Sequence, residues 1–166
     1  MFSLIISIVS IALVVVLAAA TMYYGGDALT KGRSSAEASA YVTAAQQIGG
    51  AAVMHITTQP AAPAAVADLV TSNNLSGVPN VKSRDAATNE WQLVAAVAGT
   101  SPRMLTINLA GTPASNLQLC EQINKNAGGT GMDATNGSVA TLGALPYACV
   151  PGATPATDPQ VFQFKY

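Results

Sequence analysis

Apolar and polar positions follow three different patterns along this chain. Residues 1–24, MFSLIISIVSIALVVVLAAATMYY, are apolar on every side. About 20 such residues cross the hydrocarbon core of a bilayer as a helix. Tyr23 and Tyr24 close the run where interfacial aromatics sit, and Asp27, Lys31 and Arg33 follow in the aqueous zone. The second pattern begins after Gly25-Gly26. Ala36, Ala40, Ala44, Ile48 and Ala52 recur at i+4, with Leu29 seven residues before Ala36 and Tyr41 and Ala45 on the same side. Ser35, Glu37, Ser39, Thr43, Gln46 and Gln47 fill much of the remainder, which predicts an amphipathic helix with a small-residue stripe. Joined, the two patterns predict one helix of roughly fifty residues, on the order of 75 Å long. Paired glycines weaken a helix interior, so Gly25 and Gly26 are the expected kink, bend or locally melted point.

The third pattern is that of a small mixed head. Pro60 and Pro63 cannot continue the helix and end it within Thr57–Pro63. A short helix is expected in Pro63–Ser72, with Val66, Leu69 and Val70 apolar, and Asn73–Thr88 reads as loop. Glu90–Ala98 (Trp91, Leu93, Val97) and Arg103–Leu109 (Met104, Leu105, Ile107, Leu109) predict two strands joined by a turn at Gly99–Pro102. Ser115–Asn126 predicts a helix with Leu119, Cys120 and Ile123 on one side and Gly128-Gly129 as its stop. Val161–Tyr166 alternates as a final strand with Phe162, Phe164 and Tyr166 on one face. Helix followed by strands gives an α+β class. The expected organisation is an apolar segment at 1–26, an amphipathic half of the same helix at 27–56 and a head at 57–166.

Charge sharpens this division. The 166 residues carry 7 Lys+Arg and 8 Asp+Glu, a net charge of −1, and only 9% are charged; an ordinary soluble domain has about 25%. No charged side chain precedes Asp27. A near-neutral balance argues against general nucleic-acid binding, which needs clustered cations. Hydrophobic content of 50% with low net charge is the reverse of the disorder signature.

Three readings fit the apolar segment. A cleaved signal peptide would use LAAA as its cleavage site, but it needs a basic n-region and a shorter apolar core. A single-span anchor fits by length, although no Lys or Arg on its N-terminal side sets an orientation. A charged leader already removed ahead of Met1 explains both the length and the missing n-region.

Cys120 and Cys149 are the two cysteines. A metal or redox pair would want nearby histidines or a C-x-x-C spacing, and the chain has one histidine, His55, and no such motif. A single disulfide is the expected pairing. Closing a loop near 30 residues stabilises by about 3–4 kcal/mol in the chain-entropy model, and it implies an oxidising compartment.

Together these features resemble a type IV pilin of the IVb class. The residues that carry the resemblance are the apolar FSLIISIVSIALVVVLAAATMYY, the continuation GDALTKGRSSAEASAYVTAAQQIGGA, and the closing LTINLAGTPASNLQLCEQIN and YACVPGATPATDPQVFQFKY. The resemblance implies a pilin fold: a long N-terminal helix whose second half packs on an antiparallel sheet, closed by a C-terminal disulfide around a surface loop at 120–149. It implies leader removal by a prepilin peptidase and methylation at Met1. The filament core would be formed by Phe2, Leu4, Ile5, Ile6, Ile8, Val9, Ile11, Leu13, Val14, Val15, Val16 and Leu17. The implied partners are other copies of the chain in a helical homopolymer, the inner membrane before assembly and the pilus assembly machinery. The head would then be exposed outside the cell for adhesion, motility, DNA transfer or phage attachment.

Two departures matter. Pilins usually carry a glutamate as the fifth mature residue, thought to pair with a neighbour's terminal amine; here it is Ile5, or Ile6 if counted from Phe2. Register would then come from helix packing and small residues (Ser7, Ser10, Ala18, Ala19, Ala20), which is physically acceptable because a buried ion pair often adds little over apolar packing. The proline that often kinks pilin helices is also absent, leaving that role to Gly25-Gly26. A minor pilin or pseudopilin, and a membrane-anchored periplasmic binding module, are the alternatives.

No catalytic constellation, cofactor motif or metal site is expected. His55 stands near the end of the long helix, where a helix-end or surface role is expected. There is no G-x-S-x-G elbow. Gly128–Gly131 (GGTG) lacks the Lys-Ser/Thr of a phosphate loop and reads as surface loop. Asp133 and Asp158 are too isolated for a calcium site. Thiol titration of denatured, unreduced protein is expected to find no free cysteine; two titratable thiols would rule out the bridge.

Overall fold

The computed structural model describes residues 2–85, 88–95, 103–154 and 158–166, with side chains for all of these except 24, 26 and 27. The elements, in chain order, are α1 (Phe2–Thr58), α2 (Val66–Thr71), β1 (Gln92–Val94), β2 (Met104–Asn108), α3 (Leu117–Asn126), β3 (Tyr147–Val150) and β4 (Val161–Lys165). The chain divides into two compact units, Met1–Ser34 and Ser35–Tyr166, and α1 contributes to both. The class is α+β, as expected. Met1, Val97 and the turn at Gly99–Pro102 lie outside the described residues.

The second unit is organised by a four-stranded antiparallel sheet of order β1-β2-β4-β3. Leu93 opposes Leu105, Ile107 opposes Phe162, and Cys149 opposes Phe162 from the other side. Because side chains alternate along a strand, Leu105, Ile107 and Phe162 share the face that packs on α1, all at or below 1% exposure. Tyr41 of α1 lies 5.7 Å from the Phe162 ring and 6.5 Å from Trp91, in tilted and edge-on arrangements. Gly49 is needed where β4 comes closest: a Cβ there would lie 3.0 Å from the Tyr166 Cβ and 3.3 Å from the Phe164 ring.

The buried face of α1 differs from the expected stripe. Ala38, Tyr41, Ala45, Ile48, Ala52 and His55 are buried, at steps that alternate three and four residues, whereas Ala36 and Ala40 are exposed. A strict i+4 row drifts by about 40° per step, while alternating threes and fours stay close to one line along a 3.6-residue helix. Ala44, Ile48 and Ala52 lie where the two rows meet, so the expected stripe is right at its C-terminal end and wrong at its start.

The opposite face of the sheet is covered by the segment between the cysteines. Val139 and Leu142 form a second core with Ala148 and Val150 of β3, with Met104, Met132, Leu145 and Val161 packed on it. This segment is fastened by side-chain amides. Asn124, fully buried on α3, donates to the carbonyls of Gly137 (2.9 Å) and Cys149 (3.1 Å) and accepts from the Cys149 N–H (2.8 Å). It therefore pairs the outer edge of β3 much as a neighbouring strand would. Gln160 donates to the carbonyls of Pro113 and Asn136, each at 2.9 Å, and accepts from Asn116. Gly137, at φ 69°, sits so close to the start of α3 that a Cβ would fall 2.4 Å from the Leu117 carbonyl oxygen. Cys120 and Cys149 are joined as a disulfide, Cα–Cα 5.3 Å, and both are fully buried.

Three other differences from the expected elements have local causes. Strand β3 was not anticipated: four residues between Pro146 and Pro151 are too few for a visible alternation. β1 covers Gln92–Val94 of the expected Glu90–Ala98, of which 96–98 lie outside the described residues, and Trp91 precedes it, donating its Nε1–H to the Pro79 carbonyl at 3.3 Å. α3 begins at Leu117 because Ser115 and Asn116 form a turn on Thr112, with the Asn116 side chain directed to Gln160.

The Tyr41 hydroxyl is hydrogen-bonded to the Ser83 hydroxyl and accepts from the Ser83 N–H at 3.1 Å; the Ser83 hydroxyl in turn accepts from the Ala110 N–H at 2.8 Å. Burial pushes the Tyr41 phenol above its ordinary value near 10, an effect partly offset by the Ser83 hydrogen bonds. A folded-state pKa raised in this way stabilises the fold below pH 10, and that contribution is lost as the pH climbs through the raised value. Tyr41→Phe is expected to lower head stability at neutral pH by about 1–2 kcal/mol, and to flatten the fall in melting temperature above pH 10. Unchanged melting at both pH values would contradict this role.

Candidate functional site

Within the first unit, the large side chains of the apolar part of α1 are exposed. Phe2, Leu4, Ile5, Ile6, Ile8, Val9, Ile11, Leu13, Val14, Val15, Val16 and Leu17 are all 56–85% exposed. The most apolar 18-residue window has a mean hydropathy of 2.9 with none of it buried, and is long and apolar enough to cross a membrane. At 1.5 Å per residue, Phe2–Tyr23 spans about 33 Å, against a hydrocarbon core of about 30 Å.

Three hydroxyls of this segment bond back to the helix itself. Ser7 donates to the Ser3 carbonyl at 3.0 Å, Ser10 to the Ile6 carbonyl at 2.8 Å and Thr21 to the Ala18 carbonyl at 2.9 Å. Such back-bonding lets a hydroxyl enter an apolar medium without an orphan donor. The helical backbone runs through Gly25 and Gly26 without interruption, so no melted stretch is present there. At about 1.5–3 kcal/mol per full burial, and with these side chains roughly 60% exposed, the segment has on the order of 10–20 kcal/mol to gain by leaving water. That matches the ~5–15 kcal/mol net stability of a whole domain. Its chemistry is therefore association with an apolar surrounding, lipid or protein.

The other residues singled out from the sequence are engaged locally. His55, at the end of α1, is buried, with Nδ1 2.9 Å from the Ser72 hydroxyl and 3.3 Å from the Asn74 amide. Asp133 accepts from the Thr135 hydroxyl and backbone N–H, which hold its carboxyl below the usual range. Asp158 accepts from the Thr154 N–H at 2.8 Å. Among the described residues no group of three His, Cys, Asp or Glu side chains is placed to hold a metal ion. Gly128 and Gly131 adopt φ 81° and 69° in the expected surface loop. Asn124 and Gln160, which hold the inter-cysteine segment, were not anticipated: nothing separates a structural amide from a surface amide in one sequence.

No protein-family model, curated protein or solved structure matches this chain. The character of the site thus rests on its own physical chemistry.

Proposed function

We propose that this chain is the structural subunit of an extracellular filament of the type IV pilus kind. It is held in the inner membrane before assembly and polymerises through Phe2–Leu17. The observation that carries the reading is the pairing, in one chain, of a fully uncovered apolar helix with a head whose buried polar side-chain atoms, among the described residues, all have partners. The disulfide favours an oxidising location for the head. One apolar surface serves lipid first and neighbouring helices later, and neither environment needs a change of side-chain chemistry. A prepilin peptidase and the pilus assembly machinery are the implied partners. Adhesion, motility, DNA transfer or phage attachment would fall to the exposed head loops. The alternative is a single-span membrane-anchored periplasmic module, favoured equally by the length of the apolar run; a minor pilin or pseudopilin lies between the two.

Electron microscopy of sheared surface material separates these readings. Filaments containing this chain are expected, and Val14→Asp is expected to abolish them while leaving the melting temperature of the head unchanged. Recovery of the wild-type chain only as a detergent-soluble membrane monomer would overturn the filament reading, as would normal filaments from Val14→Asp.

A further inference from the structure

A recess of about 320 Å³ opens in the head where the end of α1 and the α1–α2 connection meet the β1 side of the sheet. Its walls include Ile56, Pro63, Leu93 and Ala95, and its polar groups come from Arg103 and Tyr166. Leu93 and Arg103 lie on paired strands or their extensions, and Tyr166 continues β4 by donating its backbone N–H to the Arg103 carbonyl at 3.2 Å. These three side chains therefore converge from three adjacent strands.

The charge in this recess is unusual. Arg103 is half-buried, yet its guanidinium forms no ion pair or hydrogen bond among the described residues. The other head arginine, Arg84, is held by Glu90 through two bonds of 2.7 and 3.2 Å. The acidic side chains nearest in sequence to the recess wall are already committed, Glu90 to Arg84 and Asp68 to the N–H groups of Ala64 and Ala65 at 2.9 Å each. Removing a cation from water without a partner is costly, and a guanidinium presents a planar fork of donors suited to a carboxylate. The Tyr166 phenol lies close enough to feel the Arg103 charge, and burial raises its pKa, so it remains an O–H donor at neutral pH. Small-molecule sites combine apolar walls with a few convergent polar groups, in volumes from about 300 Å³ upwards.

We propose that this recess binds a small amphipathic monocarboxylate, its carboxylate on Arg103 and its short aliphatic or single-ring body against Ile56, Pro63 and Leu93. One cation matches one negative charge, and the volume, at the low end for ligand sites, excludes a multi-ring body. Inorganic phosphate would leave the apolar walls unused, and a neutral alcohol would leave the guanidinium unpaired. The assignment is independent of whether the chain polymerises.

The test uses the full chain in lipid nanodiscs, with NMR of the Ile56 and Leu93 methyl groups and the Arg103 Nε–H. Benzoate and hexanoate are the probes, with hexan-1-ol and inorganic phosphate as comparisons. Saturable shifts at all three positions are expected with the carboxylates. Arg103→Gln is expected to weaken binding at least tenfold, and Ala95→Phe, which fills the mouth from an exposed position, to abolish it; both should leave the head melting temperature unchanged. The proposal is overturned by an absence of saturable shifts in the wild-type chain, by equal affinity in Arg103→Gln or Ala95→Phe, or by equal affinity for phosphate or hexan-1-ol.

Discussion

The head is fastened by the contact of α1 with the face of β4. Tyr41 meets Phe162 and Trp91, and Gly49 admits the Phe164 and Tyr166 side chains. Ala38, Ala45, Ile48 and Ala52 continue the same buried row, and small residues there let helix and sheet approach closely. The Tyr41 hydroxyl extends this contact to Ser83, whose carbonyl accepts from Asn89 and whose hydroxyl accepts from Ala110. Thus one aromatic side chain ties helix, loop and sheet, and the β1–β2 half of the sheet inherits its position from it.

The other face of the sheet depends on a different device. Its cover is a loop with little regular structure, so its backbone groups need partners that secondary structure does not supply. Asn124 and Gln160 provide them, each amide making three hydrogen bonds to the chain. The disulfide limits the unfolded ensemble of the same segment, whereas the amides specify its folded path. Both devices act from inside, through buried groups, and leave the outer surface of the segment out of the fastening.

Much of this was legible in advance because the signals were long or categorical. The apolar run of Phe2–Leu17, the break at Pro60, the helix over Leu117–Asn126 and the strand at Val161–Lys165 each follow from a sustained pattern or a residue that forbids the alternative. The cysteine pairing followed by elimination. Illegible features were short or relational. β3 has four residues, the row beginning at Ala38 competes with an equally small row at Ala36 and Ala40, and the amide pins matter only through contacts far apart in sequence. Arg103, just before β2, belongs to the same group: that it forms no ion pair among the described residues shows only in the fold.

In the filament proposed above, the apolar part of α1 is buried among other helices. Since both native cysteines are bridged, a single introduced thiol can report this cleanly. Val14→Cys in intact surface filaments, treated with a membrane-impermeant maleimide beside an Ala153→Cys control in an exposed head loop, is the direct measurement. Residue 14 is predicted to stay unlabelled until the filaments are dissociated in detergent, while residue 153 labels at once. Equal labelling of both in intact filaments would contradict the account.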